Sequence, residues 1–270
     1  MAVEPTFDPD QQGQPPSLSS ISSVIDAYLG RAPDLSIVIP AYNEAHKIAR
    51  DVEAASRFLT NKAMTGEIIV SDDGSRDGTA ETARACAVAS PLKLKVIAQD
   101  KNRGKGAAVR AGVGASTGQF VMFADSGVCI PYEQALRGLE LIRGDKCDIA
   151  HASRKRIDSV ITNPQPLHRR ILSRVFRSAV DAFLGLPYRL TDTQCGFKVY
   201  KGNLARALYA QCRTDGFLFD LEIILRAKKA NARICEFPVT WSCDPDSRLR
   251  PAKTAFRTVG ELRSIKKSVV

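Results

Sequence analysis

Short apolar runs alternate with helix-like segments from Leu35 onward. The runs LSIVIP, EIIVSDD, LKVIAQD and QFVMFADS are rich in β-branched residues and are typical of buried strands. Between them, stretches such as IARDVEAASRFL and GKGAAVRAGVGAS predict helices. Apolar strands flanked by helices are typical of a parallel sheet that is covered on both faces. The pattern therefore predicts an α/β fold with a mostly parallel sheet.

Polar clusters follow three of the predicted strands, and in open parallel sheets ligands bind beside the carboxyl ends of the strands. The clusters are Pro40–Glu44, Asp72–Thr79 and Asp125. A carboxylate accepts hydrogen bonds from a ring N–H or a diol, so Asp73 is expected to contact a base or a ribose. Asp77 is instead expected to cap the next helix, because aspartate is common at helix starts.

The two ends of the chain differ from its middle. Residues 1–34 are rich in Pro, Gln, Ser and Asp and predict a mostly disordered lead with one short helix. Residues 35–252 predict one α/β domain, and residues 253–270 predict a basic amphipathic helix. That helix suits either an anionic membrane surface or a place against the core, and the pattern alone does not separate the two.

Charge is unevenly distributed along the chain. Residues 1–150 hold 16 basic and 19 acidic side chains, a formal charge of −3, whereas residues 151–270 hold 23 and 10, a charge of +13. A basic half indicates an anionic partner: a nucleic acid, a phosphorylated substrate or an anionic membrane. A nucleic acid is disfavoured, because the basic stretches contain few aromatic residues on which bases stack.

Composition also bears on location. No apolar run approaches the roughly 18 residues needed to span a bilayer, and the N-terminus lacks a signal-peptide pattern. The seven cysteines form no CxxC pair and the three histidines lie far apart, which favours reduced thiols and disfavours zinc. These features predict a cytoplasmic protein, either cytosolic or peripheral on the cytoplasmic face of a membrane.

Common nucleotide and calcium motifs are not matched. The glycines of GVGASTG miss the GxGxxG spacing by one residue, and RGKGAA lacks the P-loop pattern. DGSRDG resembles the start of a calcium loop, but the twelfth position is Arg84 instead of glutamate. The acidic cluster after the second strand is therefore interpreted as a hydrogen-bonding site.

A series of motifs resembles, in order, those of family-2 inverting glycosyltransferases of the GT-A fold. They are PAYNEAHKI, VSDDGSRDGT, NRGKGAAVRAG, the FAD that ends the fourth strand, DTQCGFKVY, FLFDLEIILRAKKA and ICEFPVTW. The match spans about Leu35–Lys267 and looks most like the dolichyl-phosphate β-glucosyltransferases, with the mannosyltransferases next. It implies a Rossmann-like GT-A domain that moves a sugar, glucose from UDP-glucose, to a polyprenyl or dolichyl phosphate.

The resemblance also implies site residues. Those that would bind the nucleotide-sugar are Pro40, Tyr42, Glu44, Asp73, Lys105 and Asp125. Within this set Asp73 would accept from the uracil, and Lys105 would lie beside the nucleotide. Asp125 is the first carboxylate of the DxD-type motif, which holds Mg²⁺ or Mn²⁺ against the diphosphate of the donor.

The family pattern breaks immediately after Asp125. The mannosyl relatives have DADxQ, whereas this chain has DSGVC, so Gly127 replaces the second carboxylate and Cys129 the glutamine. Magnesium takes oxygen ligands and keeps several waters, so one carboxylate with both phosphates can still hold it. The pattern predicts weakened metal binding, and it predicts that Gly127→Asp tightens metal dependence.

Three arginines and one serine of the second half match positions that bind the acceptor phosphate in polyprenyl-phosphate transferases. These positions are Arg154, Arg169, Ser173 and Arg248. Guanidinium groups suit phosphate because they donate two hydrogen bonds from a fixed plane. Together with Asp125, the three arginines are the implied catalytic residues.

The identity of the acceptor decides whether a base is needed in the implied single displacement at the anomeric carbon. An acceptor phosphate is already anionic, so Asp192, Asp220 and Glu222 would then be orienting or structural. A sugar hydroxyl would require one of these three as a general base. A non-catalytic nucleotide-sugar-binding protein is a further alternative, for which Gly127 is the only argument.

Overall fold

The computed structural model describes residues 32–163, 190–243 and 251–269, and in the last range it describes side chains from residue 260 onward. The lead predicted for residues 1–34 therefore lies almost wholly outside the described residues. So do three of the residues predicted to bind phosphate, Arg169, Ser173 and Arg248.

A seven-stranded sheet forms the centre of the domain. Its strands are β1 Leu35–Ala41, β2 Gly66–Asp72, β3 Lys93–Ala98, β4 Phe120–Ala124, β5 Ile149–Ser153, β7 Phe197–Lys201 and β8 Ile234–Pro238. Their order is β3-β2-β1-β4-β7-β5-β8. Strand β7 runs antiparallel to both of its neighbours, β4 and β5, and all other pairs are parallel. The predicted α/β fold with a mostly parallel sheet is confirmed.

Two further strands form a small sheet of their own. Strands β6, Val160–Asn163, and β9, Thr240–Ser242, pair in parallel. Because β6 follows β5 and β9 follows β8, this pair extends from the edge of the main sheet at which β5 and β8 end. The sequence pattern did not predict it.

Helices lie on both faces of the main sheet. Among the described residues they are α1 Ile48–Asn61, α2 Thr79–Arg84, α3 Lys105–Gly114, α4 Ala135–Arg143, α5 Gly202–Gln211, α6 Phe219–Lys229 and α7 Pro251–Val269, and a 3₁₀ turn lies at Tyr132–Gln134. Every residue of β1 is buried. Side chains alternate along a strand, so Ile37 and Ile39 pack in the core beneath α1, while Val38 packs with Val109 of α3 on the other face.

The parallel strands all end at one edge of the sheet, called the carboxyl edge below. The loops after β1, β2 and β4 leave from this edge and carry the three polar clusters predicted from the sequence. The loop after β5, which begins at Arg154, leaves from the same edge. The topology therefore brings residues that are distant in sequence to one side of the molecule.

The C-terminal helix α7 packs on α6. Ile265 and Val269 are buried in a cluster with Leu221 and Leu225, and Leu262 packs against it. Of the two placements left open by the sequence, packing against the protein is the one that these residues adopt. Across the described ranges, none of the helices combines the length and the apolar content needed to cross a membrane.

Candidate active site

The loops after β1 and β2 are joined by hydrogen bonds from backbone to side chain. Asn43 N donates to Ser75 Oγ at 2.7 Å, and Glu44 N donates to Thr79 Oγ1 at 2.7 Å. Asp77 accepts from the backbone N–H of Thr79, the first residue of α2. Although Gly78 is the N-cap residue, Asp77 thus has the helix-start role predicted for it. These hydrogen bonds join the two loops into one wall of the carboxyl edge.

Asp73 organises the loop that leads into α3. Its carboxylate accepts from the side chain of Asn102 at 2.9 Å and from the backbone N–H groups of Arg103 and Gly104 at 2.9 and 2.8 Å. Burial raises the pKa of Asp73 above its usual range, against these N–H groups, which lower it. The carboxylate therefore sets the position at which α3 begins with Lys105.

The ammonium of Lys105 forms an ion pair with Asp125 and is also attracted by the charge of Asp220. Its Nζ is 2.6 Å from Asp125 Oδ1, and it lies above the ring of Phe123 at 5.3 Å from the centroid. Burial opposes the charged form of Lys105, but Asp125 and Asp220 outweigh that effect and raise its pKa. Position 105 therefore holds a fixed positive charge beside the end of β4.

A second ammonium sits deeper in the same cluster. Lys198 of β7 is fully buried, forms an ion pair with Asp220 of α6 and donates to Thr193 O at 3.1 Å. Burial raises the pKa of Asp220, against the attraction of Lys198 and Lys105. Sequence reasoning missed Lys198, since a lysine in the strand FKVYK looks like a surface residue. The cluster thus contains two ion pairs, Lys105 with Asp125 and Lys198 with Asp220.

Asp51 of α1 supports the loop after Asp125. This loop turns through two residues with positive φ, Gly127 at 98° and Val128 at 48°. Gly127 N donates to the Asp51 carboxylate at 2.8 Å, and the guanidinium of Arg50 donates to Gly127 O at 3.2 Å. Burial raises the pKa of Asp51 to about 6. The sequence signal was an acidic residue on the mainly apolar face of a helix, and it was missed.

Arg154 is anchored at the start of the β5–β6 loop. Its Nε and Nη2 donate to the carboxylate of Asp192 at 2.6 and 2.9 Å, and its guanidinium lies above the ring of Trp241 at 5.4 Å. Burial opposes the charged form of Arg154, but Asp192 outweighs it and raises the pKa, and Asp125 adds to that effect. The arginine is thus held, still charged, in the field of Asp125.

The three acidic residues that the sequence offered as a general base all have positively charged partners. Asp192 is bound by Arg154 and Asp220 by Lys198. Glu222 accepts from the backbone N–H groups of Arg213 and Thr214 and forms an ion pair with Arg226 at 2.7 Å. Arg154 holds the pKa of Asp192 below its usual range, against burial. Asp192 and Glu222, whose pKa values are lowered in this way, are poor proton acceptors, and Asp220 is instead occupied by its ion pair with Lys198.

The remaining predicted residues lie around the first loop. Pro40 is buried within β1, Tyr42 is 38% exposed just beyond it, and Glu44 pairs with Lys47 at 2.8 Å. The structure therefore brings all the predicted nucleotide-sugar residues, and Arg154, to the carboxyl edge. Arg169, Ser173 and Arg248 lie outside the described residues.

The carboxyl edge offers few metal ligands. Within the described part of the chain, no three His, Cys, Asp or Glu side chains are grouped so as to hold a metal ion. Asp125 presents one carboxylate, and the backbone of Gly127 turns where a second would be expected. These residues fit a divalent cation only when a donor diphosphate supplies most of its oxygen ligands.

The chain belongs to glycosyl transferase family 2, whose family model matches residues 36–208. It is therefore a glycosyltransferase. Among its relatives, the dolichyl-phosphate β-glucosyltransferase of Homo sapiens is 31% identical over 80% of this chain and 70% of its own length. The enzyme of the same name from Dictyostelium discoideum is 29% identical over 95% of this chain and 79% of its own.

Solved structures show the same fold. Glucosyl-3-phosphoglycerate synthase from Mycobacterium tuberculosis, in complex with Mn²⁺ and UDP-glucose, superposes with a TM-score of 0.61 at 18% identity, over 94% of this chain and 84% of that one. Mannosyl-3-phosphoglycerate synthase from Rubrobacter xylanophilus gives 0.60 at 16% identity, over 89% and 74%. The GT-A architecture expected from the sequence is confirmed.

Proposed function

We propose that this enzyme transfers glucose from UDP-glucose to a polyprenyl phosphate, dolichyl phosphate or a close analogue, with inversion at the anomeric carbon. The observation that carries the choice of acceptor is the pairing of Asp192, Asp220 and Glu222 with cations or backbone N–H groups. A hydroxyl acceptor would need a free base among them, whereas a phosphate acceptor is already a nucleophile. The relatives named dolichyl-phosphate β-glucosyltransferase support the same acceptor.

The donor would bind along the loops after β1, β2 and β4. Tyr42 and Glu44, with Pro40 beneath them, would line the nucleotide pocket, and Asp73 would accept from the uracil while it holds the loop before α3. Lys105 would then face the diphosphate. Negative charge develops on the leaving diphosphate as the glycosidic bond breaks, and a preorganised ammonium stabilises that charge.

A divalent cation, Mg²⁺ or Mn²⁺, would be held by Asp125 together with the donor diphosphate, where it would neutralise the charge of the leaving group. The chain's own contribution is to fix Asp125 between Lys105 and Gly196. The solved relative that contains both Mn²⁺ and UDP-glucose supports this assignment.

The acceptor phosphate would bind beside Arg154. Because Asp192 occupies the Nε and Nη2 donors, Arg154 is held in one orientation, with positive charge in the field of Asp125. Arg169, Ser173 and Arg248 would complete the phosphate site. The acceptor is a lipid, so the enzyme would work at the cytoplasmic face of a membrane.

Radiolabelled UDP-glucose tests the proposal directly. With dolichyl phosphate in detergent and Mg²⁺ or Mn²⁺, label should move into a solvent-extractable, acid-labile glycolipid, and GDP-mannose should be a poor donor. Arg154→Ala should abolish transfer yet leave UDP binding intact. Transfer to soluble sugars alone would show that the acceptor is a hydroxyl, and binding of UDP without turnover under any metal would identify a binding protein.

A further inference from the structure

An extension at the carboxyl edge carries exposed apolar side chains. The segment between β5 and β6 leaves the edge at Arg154, and β6 then pairs with β9 beyond the main sheet. Ile157 is 94% exposed, Val160 54% and Ile161 38%. These three residues, called the apolar tip below, lie within five positions of one another. Single exposed apolar residues are common on soluble proteins, but three on one projecting segment indicate an interaction surface.

Hydrogen bonds give the apolar tip a defined conformation. Ser159 Oγ donates to Ser153 O at 2.6 Å, and Val160 N donates to Val239 O at 3.0 Å. Val239 N in turn donates to Ser159 Oγ at 3.2 Å. The segment is thereby tied to both β5 and the β8–β9 connection, so its apolar side chains stay in water at a considerable cost. Contact with an apolar partner would remove that cost.

The charges around the apolar tip indicate which partner fits. Lys155 and Arg156, which precede Ile157, are exposed, and Asp158 is the one acidic residue between them and β6. Arg154 at the base of the same segment is instead turned inward onto Asp192. An apolar side chain with adjacent basic residues matches the boundary between acyl chains and anionic headgroups in a bilayer.

The other apolar surface proposed from the sequence is already occupied. In the C-terminal helix, Leu262, Ile265 and Val269 pack against α6. These described apolar side chains of the helix are therefore covered by the protein and do not face a bilayer. The side chains of the apolar tip are instead exposed.

We infer that the apolar tip inserts into the surface of an anionic lipid bilayer and so holds the acceptor side of the site against the membrane. The inference rests on the proposed function, which places the acceptor in that bilayer. Arg154 directly follows Ser153, the buried last residue of β5, and lies three positions before Ile157. Docking through Ile157 therefore brings a phosphate-binding guanidinium close to the headgroup layer, where a polyprenyl phosphate presents its phosphate.

Vesicle binding of the full chain tests the inference. Phosphatidylcholine vesicles containing phosphatidylserine should sediment the wild-type chain, and pure phosphatidylcholine vesicles should sediment less of it. Ile157→Asp should weaken binding to the anionic vesicles by about tenfold or more. Ile157→Trp should strengthen it, because tryptophan favours the membrane interface. Ala230→Asp, an exposed position before the amino end of β8, is the matched control and should bind as the wild type does.

Activity separates this inference from the proposed function. In detergent, Ile157→Asp should transfer glucose to dolichyl phosphate at the wild-type rate, whereas with acceptor in vesicles it should be slow. Equal vesicle binding by Ile157→Asp and the wild type would overturn the role of the apolar tip. So would a change in the oligomeric mass of Ile157→Asp that leaves its vesicle binding unchanged. If Ile157→Asp loses vesicle binding but the wild type never transfers glucose to a lipid, the role of the apolar tip is upheld and the proposed acceptor is refuted.

Discussion

The carboxylate of Asp125 packs directly against the backbone of Gly196, and Asp125 N donates to Gly196 O at 2.8 Å. A Cβ at position 196 would overlap the carboxylate group of Asp125. The glycine of DTQCGFK therefore leaves the space that Asp125 fills.

Gly196→Ala should push the Asp125 carboxylate away from Lys105. Because a displacement of about 1 Å at a reacting centre can cost about a hundredfold in rate, we expect kcat to fall ten- to hundredfold. Steady-state kinetics with the lipid acceptor measures this. The control is Gly114→Ala at the end of α3, where a Cβ would meet nothing within 4 Å. It should keep full activity and gain up to about 1 kcal/mol of stability.

Gly127→Asp restores the second carboxylate of the motif but does so at an unfavourable backbone position. With φ at 98°, any side chain is strained there by about 1–2 kcal/mol, so the sequence-based expectation of tighter metal dependence needs a matched control. Gly127→Ala carries the same strain without the carboxylate. We expect both variants to be destabilised. Gly127→Asp should nevertheless reach half-maximal activity at a lower Mn²⁺ concentration than Gly127→Ala does. Identical metal curves for the two would show that a carboxylate at 127 does not reach the cation.

Asp51 makes stability depend on pH. Its pKa rises from 3.8 to about 6 on folding, so between these values the folded chain holds a proton that the unfolded chain has lost. The folded state is therefore favoured at low pH, and this contribution is lost as pH rises through 6, by about 3 kcal/mol in total. Asp51→Asn should remove this slope, measured as the wild-type minus variant free energy of unfolding between pH 4.5 and 7.5.

Asp148 is a control for Asp51, because folding shifts its pKa in the opposite direction. Its ion pairs with Arg233 and Lys201 hold the pKa of Asp148 below its usual range, so its stabilisation is lost only in acid. Asp148→Asn should shift stability without changing its slope above pH 4.5. A difference curve for Asp51→Asn that is flat or rises with pH would contradict the assignment.

Arg154→Lys tests the acceptor site without removing the charge. Lysine lacks the planar fork that binds Asp192 through two nitrogens, so its ammonium is not held in one orientation. We expect the KM for polyprenyl phosphate to rise about tenfold, while the KM for UDP-glucose changes little. Arg57→Lys, in an exposed pair with Glu53 on α1, should alter neither. A rise in the KM for UDP-glucose alone would instead show that Arg154 acts on the nucleotide-sugar and not on the acceptor.

Sequence periodicity was sufficient for β1, β2 and β4, because these central parallel strands are buried and mainly apolar, and Pro40, Asp72 and Asp125 lie at or next to their ends. The location of the site at the carboxyl edge could also be predicted, because parallel strands end at the same edge of a sheet. Two kinds of feature could not be found this way. Buried charges such as Lys198 and Asp51 look like surface residues until their partners, which are distant in sequence, are brought beside them.

The short strands β6 and β9 were missed for a related reason. Each has three or four residues, too few for a period to be recognised, and β6 is exposed along its whole length. The direction of β7 was also out of reach, because parallel and antiparallel strands of five residues have the same pattern. Likewise, the amphipathic helix α7 needed its partner α6 before packing and membrane binding could be distinguished.

The hydrogen bonds of Asp73 constrain how an enzyme of this design could change its donor. The carboxylate of Asp73 would accept a hydrogen bond from the base, and its oxygens also fix the loop that directly precedes Lys105. A substitution at position 73 would therefore alter the preference for uracil and displace the ammonium in a single step. Variants selected for another nucleotide should for that reason keep Asp73 and accumulate their changes around Tyr42 and Glu44, where the lining of the pocket can vary while the catalytic charge stays in place.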